Sequence, residues 1–545
     1  MKNKEGLKIG LDFGMTNSTI SFYDDESKAL VNFKPNAAEE DYIPTVISYN
    51  AKKPSDISIG KVAKSQLTSK NFDTYEHFKL LLGKKFNDKI VGKNKTPFEV
   101  AKDYIDNFLK LFETSQQNKK IQSIVMTVPD TWLRERSNQT ARENIEKIFE
   151  SLEFKGEFHL ESEPIAAAAY FCDAYKNSNS NKSEYNGFIT VIDYGGGTLD
   201  ITLCESSGIN IKVLERHGFG EDNQTHGRAG VAFDEAVVEK LIADNKLDIA
   251  KGSIRFINLR NKFEEQKRLQ TSKITEELKR YFKDPAILEG EVLFSLVYNE
   301  ETGDEVDIHC EDLAHCFNKV NAPILHDSLL KMQQYFDIHG VDSSRKNQEN
   351  FRVLLVGGFS NFYAVEAEIR KFFNAEVGLI DKRFEQPFPL INRSFAISRG
   401  AALIAKEMRI PVHTCPYNIG FVFGAIGERD QVIDRDVLII KKGTLIDDIK
   451  SVVFSDNVYQ VTHKSGKLRI FMDDGRPNRE GRLQVAVDGS AEELFPNIDV
   501  TGNEYRVGFS VNRNLIPTIH VVDKQGSPTQ TSLSKLLEKI GIMQK

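Results

Sequence analysis

Two segments far apart in the chain carry an aspartate from an alternating apolar run into a glycine-containing turn. The first is IGLDFGMTNSTISF (Ile9 to Phe22), where Asp12 precedes Gly14, Met15, Thr16 and Asn17. The second is VIDYGGGTLDITL (Val191 to Leu203), where Asp193 precedes Gly195, Gly196, Gly197 and Thr198, with Asp200 shortly after. Glycine permits a tight turn and leaves backbone N–H groups open to an anion, while hydroxyls add donors. Carboxylates do not bind phosphate, so the aspartates suit a hydrated Mg²⁺, which keeps several waters and needs few carboxylates. Two such turns facing one another would hold a polyphosphate between them. Either turn alone reads at least as well as a β-turn that needs glycine. The pair, each with its aspartate, favours a site.

A third segment, FRVLLVGGFSNFYAVEAEIRKFF (Phe351 to Phe373), runs from a buried strand through Gly357-Gly358 into a helix expected near Ser360. Paired glycines at a strand-to-helix turn let a flat ring approach the backbone, and the helix start adds positive potential. The chain contains no G-x-x-x-x-G-K-S/T loop, and no G-x-G-x-x-G opens a helix, so P-loop and dinucleotide folds are excluded.

The elements around these turns alternate as far as Met408. A strand is predicted over Ser123 to Val128, helices over Phe98 to Glu113 and Arg134 to Leu152, and a surface loop over Lys176 to Gly187. Interleaved order of this kind implies an α/β layer architecture. Leu11-Asp12-Phe13-Gly14 and Ile192-Asp193-Tyr194-Gly195 repeat one order of residue types, which suggests a duplicated lobe with a site between the copies. From Pro411 to Gln530 short alternating runs dominate: Asp436 to Ile440, Lys467 to Met472, Leu483 to Val487, Tyr505 to Val511 and Thr518 to Val522. Turn-formers separate them, as a β-sandwich requires. One short helix, Ser532 to Ile540, is predicted to follow. The expected division is 1–408, 409–530 and 531–545.

Composition bounds the rest. A chain of 545 residues exceeds one hydrophobic core, and 40% hydrophobic with 28% charged residues is ordinary for a folded protein. A net charge of −7 argues against a broad nucleic-acid or anionic-membrane surface. The charged start (Met1 to Lys8) is no secretory signal, and no apolar run reaches the length of a membrane span. Five scattered cysteines are no disulfide framework, so a reducing cytoplasm is expected. His309-Cys310 and His315-Cys316 match no zinc spacing and read as positions of one helix.

The two hairpins and the Gly-Gly turn resemble the phosphate-one, phosphate-two and adenosine motifs of the actin, sugar-kinase and heat-shock ATPase superfamily. Further segments are similar to the seventy-kilodalton heat-shock chaperones: HFKLLLGKKF (His77 to Phe86), SIVMTVPDTW (Ser123 to Trp132), ESEPIAAAAYF (Glu161 to Phe171), KFEEQKRLQTS (Lys262 to Ser272) and RSFAISRGAALIA (Arg393 to Ala405). They follow the family's order across residues 8 to 405. Pro411 to Gly526 resembles its β-type peptide-binding domain less strongly. The resemblance implies an actin-like, two-lobed ATPase domain of duplicated ribonuclease H-like lobes, then a β-sandwich. It implies ATP or ADP with Mg²⁺ as ligands, a metal shell positioned by Asp12, Asp193 and Asp200, and Glu163 near the metal and attacking water. Gly14, Met15, Thr16, Asn17, Gly195, Gly196, Gly197 and Thr198 would line the phosphates, and Lys79 would orient the hydrolytic water. Lys267, Arg268 and Thr271 would contact adenosine with Gly357, Gly358 and Ser360. Ala166 to Ala169 and Gly400-Ala401-Ala402 would mark two helices crossing between lobes. Phe421, Leu468 and Ile470 fall where the β domain lines its peptide cleft, although alternating strand positions suit a sandwich core equally.

Departures from the pattern are specific. Met15 stands where the family usually has a threonine that reaches the γ-phosphate, which should slow hydrolysis more than binding. Ser394 replaces an acidic residue, the acidic-apolar linker is absent between Met408 and Pro416, and the predicted final helix is too short for a lid. The expectation is a monomeric, lidless, ATP-dependent chaperone-like protein with slow hydrolysis, an unfolded or specific client and a candidate co-chaperone, but no nucleic-acid or membrane partner. The alternative is an ATP-binding sensor or co-chaperone that scarcely turns ATP over and docks a fixed partner. A filament-forming or small-molecule-phosphorylating relative is disfavoured by the β-rich C-terminal part.

Overall fold

The computed structural model describes residues 6–35, 43–83, 90, 94–129, 132, 139–152, 154–219, 229–288, 290–299, 301–375, 380–415, 417–426, 431–460, 469–473, 483–486, 504–512, 517–523 and 528–532. The chain folds as two units, Met1–Thr131 with Glu143–Pro411, and Trp132–Arg142 with Val412–Lys545.

In the first unit, β1 (Leu7–Phe13) buries Ile9, Leu11 and Phe13 and turns Asp12 to the opposite face, as the alternation requires. It pairs antiparallel with β2 (Asn17–Asp24) and parallel with β4 (Ile121–Val128), setting Asp12 opposite Thr19 on one side and Thr127 on the other. With β3 (Ala29–Asn32) and β5 (Glu157–Ser162) the sheet order is β3-β2-β1-β4-β5. The second sheet repeats four strands of this plan. Its β6 (Gly187–Tyr194) pairs antiparallel with β7 (Leu199–Ser207) and parallel with β9 (Phe351–Val356), and β8 (Asn210–Phe219) and β10 (Ile410–Val412) complete the order β9-β6-β7-β8-β10. The repeat of apolar, Asp, aromatic and Gly therefore marks the same position in a four-strand arrangement that the two sheets share, their remaining strands lying on opposite edges.

Two helices join the sheets. α1 (Glu163–Ser178) packs on the second sheet, and α5 (Ala396–Ala405) packs on the first. They cross so closely that a Cβ on Gly400 would lie 1.6 Å from the Ala166 carbonyl oxygen, and one on Gly10 would lie 2.1 Å from that of Ser398. Small residues are thus a packing requirement here. The Ser21 and Ser398 hydroxyls, buried and 2.9 Å apart, tie β2 to α5.

Several boundaries differ from the sequence prediction. The helix Pro97–Ser115 starts one residue earlier than predicted because Thr96 and Glu99 form a reciprocal capping box around Pro97. It runs on to Ser115, where the Gln116 N–H closes it on the Phe112 and Glu113 carbonyls. The helix expected from Arg134 is described from Gln139 to Ser151, and 133–138 lie outside the described residues. Lys176 to Ser178 belong to α1 rather than to the loop, held by continuing helical hydrogen bonds. Ser532 ends a strand, Pro528–Ser532, that pairs with Pro517–Asp523, so the final helix cannot start there, and the rest of it lies outside the described residues.

The second unit holds two sheets. In one, Asn418–Ile426 lies between Val432–Ile440 and Arg469–Asp473, with Leu483–Ala486 beyond. In the other, Glu504–Val511 and Pro517–Asp523 are central. Tyr459 links the sheets by meeting Phe421 edge-on at 4.8 Å and Phe423 at 5.1 Å. Among the described residues no helix is long and apolar enough to cross a membrane.

Candidate nucleotide site

The two hairpins meet. A Cβ on Gly197 would lie 2.0 Å from the Met15 sulfur, and one on Gly196 would lie 2.5 Å from Cγ2 of Thr16. Only glycine lets the second turn come this close to the first. Each turn is braced. The Thr45 hydroxyl donates to the Gly14 carbonyl at 2.8 Å and its N–H to the Thr16 carbonyl at 2.8 Å. In the second, the Gly195 N–H donates to the Thr198 carbonyl at 3.0 Å. The start of α2 (Gly230–Asp244) holds it, the Gly230 N–H reaching the Gly195 carbonyl at 3.1 Å and the Val231 N–H that of Gly196 at 2.8 Å. Asn17 lies at the start of β2 with its amide 3.5 Å from the Thr16 hydroxyl.

Beneath the turns lies a group of acids. Asp193 and Asp200 face each other across β6 and β7, both buried, and Asp12 is partly buried on β1. Glu163, the first residue of α1, is 6% exposed, and Lys79, on a short 3-10 turn (Phe78–Gly83), is 3% exposed. The Lys79 ammonium bonds Glu163 Oε1 at 3.0 Å and lies 5.8 Å from the Phe13 ring. Burial, then the Glu163 charge, push the Asp12 carboxyl up to about 7, against the opposing pull of Lys79 and the Thr127 hydroxyl 3.4 Å away. Burial holds Asp193 well above the ordinary carboxylate range too, aided by Glu163, Asp200 and Asp12. Four carboxylates thus share one lysine in a poorly hydrated place, and such a set either keeps protons or takes a cation.

A set of carboxylates suits Mg²⁺, a hard cation that takes oxygen ligands and keeps several waters; among the described residues no three His, Cys, Asp or Glu side chains converge as direct ligands. His309 instead caps the helix Cys310–Val320, where Cys310 and Cys316 are buried free thiols.

The Gly-Gly turn closes the floor. Gly357 has φ +83°, and a Cβ there would lie 2.4 Å from Asp193 Oδ1. The chain then makes a 3-10 turn, Phe359–Asn361, before α4 (Tyr363–Phe372), so the α-helix starts later than predicted. Ser360 is fully buried, its hydroxyl bonded to the Gly357 carbonyl at 2.7 Å, so it shapes the turn. Gly358 faces open space. Lys267, in the last turn of α3 (Ile254–Leu269), is ion-paired with Asp234 and lies within 5.8 Å of the Phe233, Phe263 and Phe359 rings. Arg268 is exposed, and the Thr271 hydroxyl bonds back to the Arg268 carbonyl at 2.8 Å.

Sequence reasoning missed Thr45, Thr127 and Asp234, whose roles depend on partners distant along the chain. It also missed two ion pairs over the cleft, Lys64 with Glu264 at 2.8 Å and Arg260 with Glu76 at 3.2 Å. These line a narrow, half-open cleft together with Met15, Thr16, Thr45 and Asp234. In the second unit Phe421 and Ile470 are cross-strand neighbours, each 1% exposed, which favours the core half of the two readings. Leu468 lies outside the described residues.

A four-strand arrangement shared by two sheets, an aspartate hairpin in each and a glycine turn against the second aspartate define the two-lobed nucleotide fold of actin type, followed by a β-rich unit. The family model for Hsp70 protein matches residues 8–149 and 109–409, spanning both hairpins, Lys79, Glu163 and the Gly-Gly turn. The chain belongs to the Hsp70 protein family.

Proposed function

We propose that this chain binds ATP with Mg²⁺ between its two hairpins, hydrolyses it slowly and acts as a chaperone-like protein through its β-rich unit. The observation that carries this reading is a group of four carboxylates with one lysine, all buried but the half-buried Asp12, set under two closely apposed glycine turns. Asp12, Asp193 and Asp200 would hold Mg²⁺ through water, and bound Mg²⁺ supplies neutralisation of phosphate charge. Backbone N–H groups of Gly14 to Asn17 and Gly195 to Thr198 would cradle the phosphates, with the Thr16 and Thr198 hydroxyls as further donors. Lys79, oriented by Glu163, would fix the attacking water, and Glu163 would take its proton. Phosphoryl transfer to water is mainly positioning and charge stabilisation, which this constellation can supply. Lys267, Arg268, Thr271, Gly357, Gly358 and Ser360 form or flank the nucleoside end. Five buried free cysteines fit a cytoplasmic setting.

The second reading, an ATP sensor or co-chaperone that docks a fixed partner, draws on Met15. Its thioether lies against Gly197, where a donor would be needed as charge develops on the phosphate. The ATPase rate with and without an extended apolar peptide separates the two. Stimulation supports the chaperone reading. Tight ATP binding with a flat, negligible rate supports the sensor and overturns the first.

A further inference from the structure

Arg393 lies behind the Gly357–Asn361 turn, only 8% exposed. Its Nη1 donates to the Ser360 carbonyl at 3.4 Å, its Nε to Gln386 Oε1 at 3.3 Å and its Nη2 to Glu366 Oε2 at 3.2 Å. Taking a guanidinium out of water is costly unless it is well paired. Burial accordingly lowers the Arg393 pKa, and Glu366 pulls it back up. Glu366 is shared between two arginines, Arg370 Nε reaching its other oxygen at 2.8 Å, and the charge of Arg393 is the strongest of the influences that hold it ionised. The pairing keeps Arg393 charged in a buried place and leaves its Nη1 free to engage the backbone.

The carbonyl that Nη1 reaches belongs to Ser360. Ser360 grips the Gly357 carbonyl, and Gly357 is the residue pressed against Asp193. The next residue, Asn361, donates to the Ser394 hydroxyl at 3.2 Å. Arg393 and Ser394 thus hold adjacent points of the turn. They sit just before α5, whose Ser398 meets Ser21 of the other lobe.

We propose that Arg393 is a positioning residue for the nucleoside end of the bound nucleotide: it fixes the Gly357–Asn361 turn against Asp193 and, with Ser394, ties that turn to the helix that crosses between the lobes. The assignment rests on the nucleotide reading given above. Among the described residues the hydrogen-bond partners of Arg393 are Ser360, Gln386 and Glu366, none of them on the phosphate hairpins, so its loss should be felt far more by ligands that carry a nucleoside than by a bare polyphosphate.

The test uses the full chain with Arg393→Met, Arg393→Lys and Asn361→Ala, each checked for an unchanged folded spectrum and melting transition. The probes are Mg-ATP and Mg-tripolyphosphate, titrated calorimetrically. Arg393→Met should weaken Mg-ATP about tenfold and leave Mg-tripolyphosphate within twofold of the parent, about 1.4 kcal/mol of selective loss. Arg393→Lys should recover most of it. Asn361→Ala should show the same selectivity at roughly threefold, and it decides the matter if Arg393→Met does not fold. Equal weakening of both probes, or no weakening of Mg-ATP, overturns the assignment while the nucleotide reading stands. A parent that binds neither probe removes that reading and this assignment with it.

Discussion

Replacing Asp12 with Asn should make the unliganded protein more stable above neutral pH while weakening its response to Mg-ATP. The carboxyl has its pKa raised from 3.8 to about 7, chiefly by burial and then by Glu163. A raised acid binds its proton more tightly when folded than when unfolded. Stability is therefore lost as pH climbs from the unfolded value through the folded one, and the full penalty is present above about 7. At about 1.4 kcal/mol per pH unit the ceiling for one carboxylate is about 4 kcal/mol. Asp12 is only partly buried, so water at its exposed edge screens the penalty, and a gain of about 1–2 kcal/mol for Asp12→Asn at pH 8 is expected. The assay is denaturant unfolding of parent and variant at pH 5.5 and pH 8, with and without Mg-ATP. At pH 5.5 the variant's advantage should be about half of that at pH 8, because the unfolded carboxyl is already ionised there while the folded one still holds its proton. At pH 8 the unliganded variant should be the more stable, and Mg-ATP should stabilise the parent by the larger margin. A variant less stable at pH 8, or a difference independent of pH, refutes the claim that this carboxylate is held against its solvation.

Lys79→Ala should abolish hydrolysis, but it should also destabilise the fold by about 3–5 kcal/mol, because it strands Glu163 in a buried place. Lys79→Met with Glu163→Gln should recover most of that stability in a melt and none of the activity; an active double variant would falsify both roles. Met15→Thr should raise single-turnover hydrolysis, since it restores a donor beside Gly197, and an unchanged rate means another group serves there. Gly197→Ala should be damaging in the parent and milder with Met15→Thr, because the added methyl meets the Met15 thioether. In the β-rich unit Phe421→Ala should cost about 3–5 kcal/mol as a core truncation. Near-parental stability with lost binding of an extended apolar peptide would restore the cleft assignment.

Much of the site was legible because its signals are local. An aspartate ending an alternating strand, followed by glycine and a hydroxyl, announces a turn and a charge within a dozen residues, and both hairpins formed where that pattern predicts them. Lys79 was invisible as a site residue except through the family resemblance, since its meaning lies in a contact with Glu163, 84 positions away. Ser360 and Lys267 show the same limit. Sequence marks them as polar near a turn and on a charged helix, but the Gly357 carbonyl and Asp234 that engage them are set by tertiary packing. The Gly-Gly turn misled the helix start because a 3-10 turn bonded through Ser360 satisfies the same local pattern. In the β-rich unit strict alternation fixes which side chains share a face, but not whether that face is a cleft or an interior.

The most direct test is calorimetric titration of the full chain with ATP, in Mg²⁺ and in excess chelator, for the parent and for Asp193→Asn. Asp193 lies at the meeting point of both hairpins and the Gly-Gly turn, so it is the side chain on which the whole assignment depends. The parent should bind one ATP per chain, at least tenfold more tightly with Mg²⁺ than without. Asp193→Asn should lose most of that Mg²⁺-dependent gain while remaining folded. One-to-one binding of equal strength with and without Mg²⁺, identical in parent and Asp193→Asn, would contradict a metal-nucleotide site between the hairpins.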